Sequence, residues 1–424
     1  MAYLRHWSNW SGSQTANNRF AQPRDLDELA EIVSQHDKIR ISGASHSFSP
    51  IVKTDATLLN LDYLKGIDHT DTQRCQSTIW GGTRLYDLGE KLASVNQALI
   101  NQGDIDRQSL AGAVATGTHG TGLSLGCLSS FITQFELMTA TGDILQCDAK
   151  HNAEIFQAGR VALGSLGLLT KLTLQNRGMY RLKEQIRLCP LNELYQHLDT
   201  WKHQHRHIEF LAFLHADQVI LKTLDETDAD IAARQNSWPD EDFLLSICCE
   251  LNRSMPWLNP HLQKLLSVFI RPSQYVDWSS RIFPSVRQTR FNEMEYQVPL
   301  EQGLACFEEI LATLKHHKAP VFFPIEFRYV QGDDIWLSPF YQRDSVSISI
   351  HQFYKQDYQA IFRLVESIFW KYQGRPHWGK LHSLSAAELS ALYPKWEDFM
   401  QLRQQLDPRG KWINSYLEQL FIKK

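Results

Sequence analysis

Residues 103–122 read GDIDRQSLAGAVATGTHGTG, with glycines at 103, 112, 117, 120 and 122 and the hydroxyls of Ser109, Thr116, Thr118 and Thr121 between them. Glycines lack a Cβ and so let backbone amides come close to a ligand; neighbouring hydroxyls add donors, and together these suit a diphosphate. The spacing matches neither GxxxxGK(S/T) nor a GxGxxG that leaves a strand and opens a helix, which argues against a Walker loop and a dinucleotide Rossmann turn. A plain flexible loop is the competing reading. The β-branched and small residues in the run favour a packed segment.

Working outward, the chain of 424 residues exceeds the size at which one core keeps growing, so two domains are expected. Its 43% hydrophobic, 21% charged and 11% aromatic residues describe a globular protein with ample material for pockets that grip a ring. The net charge of -4 comes from 43 basic and 47 acidic residues spread along the chain, leaving no electrostatic footprint for nucleic acid or an anionic membrane. Small-molecule partners are expected. The seven cysteines show no CxxC spacing, and Cys248 adjoins Cys249, which suits neither a disulfide framework nor zinc and points to the cytoplasm. The N-terminal MAYLRHWSNWSG lacks an apolar signal core, and no apolar run is long enough to predict a membrane span.

Up to about residue 175, helix-like and strand-like segments alternate. PRDLDELAEIVSQHD carries a capping Asp25 and places Leu26, Leu29, Ile32 and Val33 at helical spacing. KIRIS, ATLLNL and LTKLTLQ read as strands, TRLYDLGEKLASVNQAL as a helix, and SFITQFELMTATGDILQCD as a hairpin turning at Thr141-Gly142-Asp143. Beyond residue 180, HIEFLAFL, FLLSICCE and APVFFPIEFRYV suggest an antiparallel sheet, covered by helices such as LEQGLACFEEILATLKHH. The tail returns to helices.

Three local patterns carry candidate chemistry. In IRISGASHSFSP, residues 39–50, a strand-like run breaks into small residues around His46, and a hydrogen-bonded turn histidine is the simplest reading of this stretch alone. Glu326 and Arg328 stand i, i+2 in a strand, on one face, with apolar flanks that argue against a solvated salt bridge. His203, His205 and His207 would share a strand face, but no acidic or cysteine partner is near in sequence. They read as a surface cluster, and no metal is expected.

Five separated motifs, in order along nearly the whole chain, resemble the vanillyl-alcohol oxidase superfamily: Gly43-Ala44-Ser45-His46-Ser47, the 112–122 run, FFPIEFRYV, RPHWGKLH with His377 and Lys380, and LDPRGKWINSYLEQLF. They are most similar to its sugar-acid branch, the alditol oxidases and the L-gulono- and D-arabinono-1,4-lactone oxidases. The resemblance implies a two-domain α+β fold. An FAD-binding domain of the PCMH type would span 1–178, an antiparallel-sheet substrate (cap) domain 179–375, and a segment 376–424 would complete the flavin site. It implies FAD bonded covalently from the His46 imidazole to the flavin 8α-methyl carbon, which a neutral, nucleophilic ring permits. Ser42, Gly43, Ala44, Ser45, Ser47, Gly103, Asp104, Ser109, Gly112, Ala113, Val114, Ala115, Thr116, Gly117, His119 and Gly120 would line the cofactor, and the 164–170 turn with Leu168 would close over its adenosine part.

The implied activity is oxidation of an aldonolactone hydroxyl by hydride transfer to the flavin, with dioxygen returning the electrons as hydrogen peroxide. Glu326, Arg328, Lys380 and His351 take the substrate side, and Lys380 also faces the cofactor. Two departures bear on substrate: Phe353 stands where alditol oxidases have a threonine, and Gly103-Asp104 where the family commonly has a serine or an alanine-serine pair. Asp104 puts a simple alditol in doubt. Gly103 leaves a path for dioxygen that alanine tends to block, pointing to an oxidase. An alditol oxidase, a dehydrogenase with another electron acceptor, and a scaffold keeping a dead flavin fold are the alternatives.

Overall fold

Asp25 accepts the Glu28 amide at 2.8 Å and opens the helix Leu26–Gln35, whose apolar stripe buries Leu29 and Val33. This computed structural model describes residues 3–232, 241–285 and 287–421. Leu29 and Val33 join Ile39, Leu59, Leu168 and, from far along the chain, Trp412 in one cluster.

Two sheets frame the first part. One has the order Tyr3–Ser8, Thr15–Ala21, Thr57–Leu59, Ile39–Ile41, antiparallel in its first pair and parallel in the other two. The other is antiparallel, in the order Ile67–Asp71, Gln76–Trp80, Leu168–Gln175, Ile132–Met138, Ile144–Asp148. The hairpin lies where Gly142 was read, at a φ of +92° open to glycine. The glycine-rich run holds a short helix, Leu110–Ala115, so it is packed.

An antiparallel sheet of eight strands follows, in the order Ser273–Trp278, Arg181–Pro190, Gln218–Glu226, His207–Ala212, Ile325–Val330, Ser345–Phe353, Phe291–Pro299, Arg375–Pro376. Strand alternation divides it into two faces. On one, Phe210 stacks on Phe327 at 4.5 Å and both meet Phe307 of the helix Gly303–His316. The opposite face carries charge, with Arg328 opposite Glu209, Glu209 opposite Lys222, and Glu293 opposite His351.

Two sequence readings need correction. FLLSICCE is part of the helix Glu241–Ser254, not a strand, because it buries Cys248, Cys249 and Asn252 while Phe243, Ile247 and Leu251 face outward at a spacing of four. A short apolar run does not itself distinguish the two periods. The three histidines do not form a surface cluster either. His203 ends the helix Leu191–Gln204, His205 pairs with Asp225, and His207 is buried against the Thr121 carbonyl.

The tail folds back onto the start of the chain. Lys411 O accepts from the Ile39 amide at 2.9 Å, and Asn414 Nδ2 donates to the carbonyls of Pro50 and Lys53. Among the described residues no helix is long and apolar enough to cross a membrane.

Candidate active site

A cleft runs between the 42–47 loop, the Ser109 turn and the 162–169 segment. Ser42, Gly43, Ala44, Ser45, His46, Ser47, Ser109, Gly112, Ala115, Thr116 and Leu168 all line it. The two loops touch: a Cβ on Gly43 would stand 2.2 Å from Ser109 Oγ, so only glycine fits. Ser109 Oγ in turn accepts the Gly112 amide at 3.3 Å. Ser45 holds a left-handed φ of 59° because three groups fix it: Trp7 Nε1 donates to its Oγ, the Trp10 amide to its carbonyl, and Ser42 Oγ lies 3.1 Å away. The His46 ring stacks on Trp10 at 5.7 Å. Burial first, then Lys380, Arg84 and Arg107, push its pKa down to about 4, which keeps the ring neutral.

Other expected cofactor residues lie elsewhere. The Ala113 and Val114 side chains are fully buried in the apolar core. Gly117 turns the chain at φ +73°, and Gly120 presses so close to Gln102 O that a Cβ would sit 2.4 Å from it. Gly103 backs onto His119 O, and Asp104 accepts from Ser285 Oγ at 2.6 Å and from Arg287 Nη2 at 2.9 Å.

Beside the cleft stands the charged face of the large sheet. Arg328 bridges Glu209, at 2.9 Å, and Glu326; Lys222 pairs with Glu209 at 3.1 Å. Lys380 Nζ lies 2.5 Å from Glu293 and 3.8 Å from Glu295, and His351 Nε2 lies 3.4 Å from Glu293. Burial alone would raise the Glu293 and Glu209 carboxyls, yet the adjoining cations hold both well below the usual range. Glu326 behaves oppositely: burial, with Glu209 and Asp104 nearby, outweighs Arg328 and raises its pKa.

Lys380 belongs to both regions. The Phe48 amide donates to Gly379 O at 2.7 Å and Ser49 Oγ to Trp378 O at 2.9 Å, fastening the Lys380 turn to the His46 loop. Lys380 Nζ also sits 5.2 Å above the Phe48 ring. Behind it, Glu295 accepts from His119 Nε2 at 2.7 Å, Gln297 Nε2 at 2.6 Å and Ser347 Oγ at 2.9 Å. His119, Glu295 and His377 could group around a metal, and so could Glu293, Glu326 and His351. Three protein donors already share Glu295 Oε1.

Sequence reasoning missed Glu209, Lys222, Arg287, Glu293, Glu295 and Trp10. One signal was present: FNEMEYQVP places Glu293 and Glu295 i, i+2, as in the Glu326 and Arg328 pair that was recognised.

The profile of the D-arabinono-1,4-lactone oxidase family matches residues 172–420, and that of an FAD binding domain matches 18–148. The chain belongs to the D-arabinono-1,4-lactone oxidase family. Its L-gulono-1,4-lactone dehydrogenase from Mycobacterium tuberculosis is 34% identical, covering 97% of both chains. L-gulonolactone oxidase from Scyliorhinus torazame is 32% identical over 98% of both, and alditol oxidase from a Streptomyces species 29% identical over 97% of this chain and 98% of its own. A solvent-stable cholesterol oxidase superposes with a TM-score of 0.84, covering 100% of this chain and 98% of its own at 16% identity, so the vanillyl-alcohol oxidase fold is shared. The chain is thus an FAD-dependent oxidoreductase acting on CH–OH groups. Its cleft fits the cofactor: the lining is small, hydroxylated and close to the backbone, as a diphosphate requires.

Proposed function

We propose that the protein oxidises a hydroxyl of a neutral aldonolactone of the D-arabinono- or L-gulono-1,4-lactone type, with dioxygen as electron acceptor and hydrogen peroxide as product. The observation that carries this is Lys380, tied to the His46 loop on one side and to the carboxylates of the charged wall on the other. In this reading residues 1–178 bind FAD, 179–375 present the substrate wall, and 376–424 supply the joint between them.

FAD, held by the 42–47 loop and the Ser109 turn, would supply a hydride acceptor; the protein manages the proton and the charge. Glu326, with its raised pKa, is suited to take the hydroxyl proton. Arg328 and Lys380 stabilise the oxygen as its charge grows, and His351 is held against Glu293 to orient the sugar. His46, neutral and packed on Trp10, is the tether to the flavin methyl carbon.

The wall sets carboxylates at 104, 184, 209, 293, 295 and 326 against cations at 222, 287, 328 and 380. This surplus of negative charge opposes an open-chain aldonate and favours the uncharged lactone. Dioxygen as acceptor is supported by the oxidases among the relatives, the L-gulonolactone oxidase and the alditol oxidase. The seven free cysteines, six of them buried, support a cytoplasmic setting.

A panel of lactones, aldonates and alditols with peroxide detection tests the reading. Lactones should lead by at least about tenfold in kcat/KM, the scale of one lost interaction; an alditol or aldonate in front overturns it. Gly103→Ala should slow peroxide formation more than dye reduction, and equal slowing removes the oxygen path.

A further inference from the structure

Arg40 lines the flavin cleft from the strand Ile39–Ile41, with only 3% of its surface exposed. Each of its partners is a backbone carbonyl. Nε donates to Ile51 O at 3.0 Å, Nη1 to Gly164 O at 3.1 Å and to Trp412 O, and Nη2 to Leu163 O at 2.9 Å. Among the described residues no carboxylate pairs with it, in contrast to Arg84, whose guanidinium meets Asp62 at the same cleft. A buried cation without an anion is costly, and carbonyl dipoles offset that cost only in part. Burial pushes its pKa down to about 9, still above neutrality.

We infer that Arg40 is the fixed counter-charge for the FAD diphosphate, acting through the low-dielectric cleft wall while its donors stay on the carbonyls. Four carbonyl bonds keep the guanidinium from turning toward a carboxylate. They also hold Leu163 and Gly164, both left-handed at φ +54° and +63°, in the turn that borders the cleft. Arg40 is thus a positioning residue for cofactor binding and takes no part in the oxidation.

The competing role is a mechanical tie for that turn alone, and the ligand's charge separates the two. In apo-protein of the His46→Ala variant, FAD, ADP and riboflavin binding are followed by calorimetry with and without Arg40→Met. Loss of the charge should weaken FAD and ADP at least about tenfold and riboflavin, which carries no phosphate, less than about twofold. Equal weakening of ADP and riboflavin, or unchanged ADP affinity, would overturn the inference. Should Arg40→Met fail to fold, Arg40→Lys decides the matter, since it keeps the charge and gives up most carbonyl bonds. ADP affinity within about threefold of the parent supports the counter-charge, and a tenfold loss shared by ADP and riboflavin refutes it.

Discussion

Around the flavin cleft the decisive side chains are absent ones. A Cβ on Gly43, Gly81 or Gly82 would lie 2.2, 2.5 or 1.9 Å from Ser109 Oγ, Leu169 O or Leu61 O respectively. On the substrate wall the decisive side chains are long and charged, largely withdrawn from solvent, and each is held by an opposite charge on a neighbouring strand or on the Lys380 turn. The cleft therefore fails when atoms are added to it. The wall fails when charge is removed at constant size.

The comparison breaks most completely at His46, the one cleft residue chosen for reactivity. His46→Ala should abolish flavin colour that survives acid precipitation, and acid-stable colour in that variant would remove the tether. On the wall, Lys380→Met or Arg328→Leu should lower turnover by at least about a hundredfold, the scale of a lost charge stabiliser. Stopped-flow flavin reduction checks this, and near-wild-type rates would take both residues out of the site. In the cleft, Gly43→Ala should weaken FAD retention about tenfold through its clash, and Ser109→Ala in the same chain should recover part of it; equal retention in all three chains would mean the loops yield.

Acid sharpens the contrast least, and in two steps. His46, His207, His377 and His382 are held by burial near 4, against 6.5 for the free group. The unfolded chain binds their protons first, so stability falls as pH drops from 6.5 toward 4. Glu209 and Glu293 are held below 4.5, and their contribution, present above that pH, is lost on further acidification. Thermal melts of the apo-protein should show both declines; a melting temperature flat between pH 7 and 4.5 would contradict the first.

This contrast explains what could be read without a structure. Glycine has few reasons to recur in one short run, and that signal pointed to cleft positions at 43 and 112, whereas the glycines at 103, 117 and 120 serve packing and turns outside the cleft. Asp25 marked its helix and Gly142 its hairpin by the same local chemistry. The wall is a product of register: Glu209 meets Arg328, and Glu293 meets Lys380, only after strands over a hundred residues apart along the chain align, or a distant turn closes. Glu326 and Arg328 were legible because both sit on one strand. Arg40 looked like any strand residue, since nothing local shows that its partners are carbonyls.

The Trp412 carbonyl that holds Arg40 lies 372 positions further along the chain. Arg40, fixed in the third strand of the chain, thus receives its last carbonyl only once residue 412 has been made. A chain cut before residue 412 would keep every strand of the large sheet and lose one of the four carbonyls that fix Arg40.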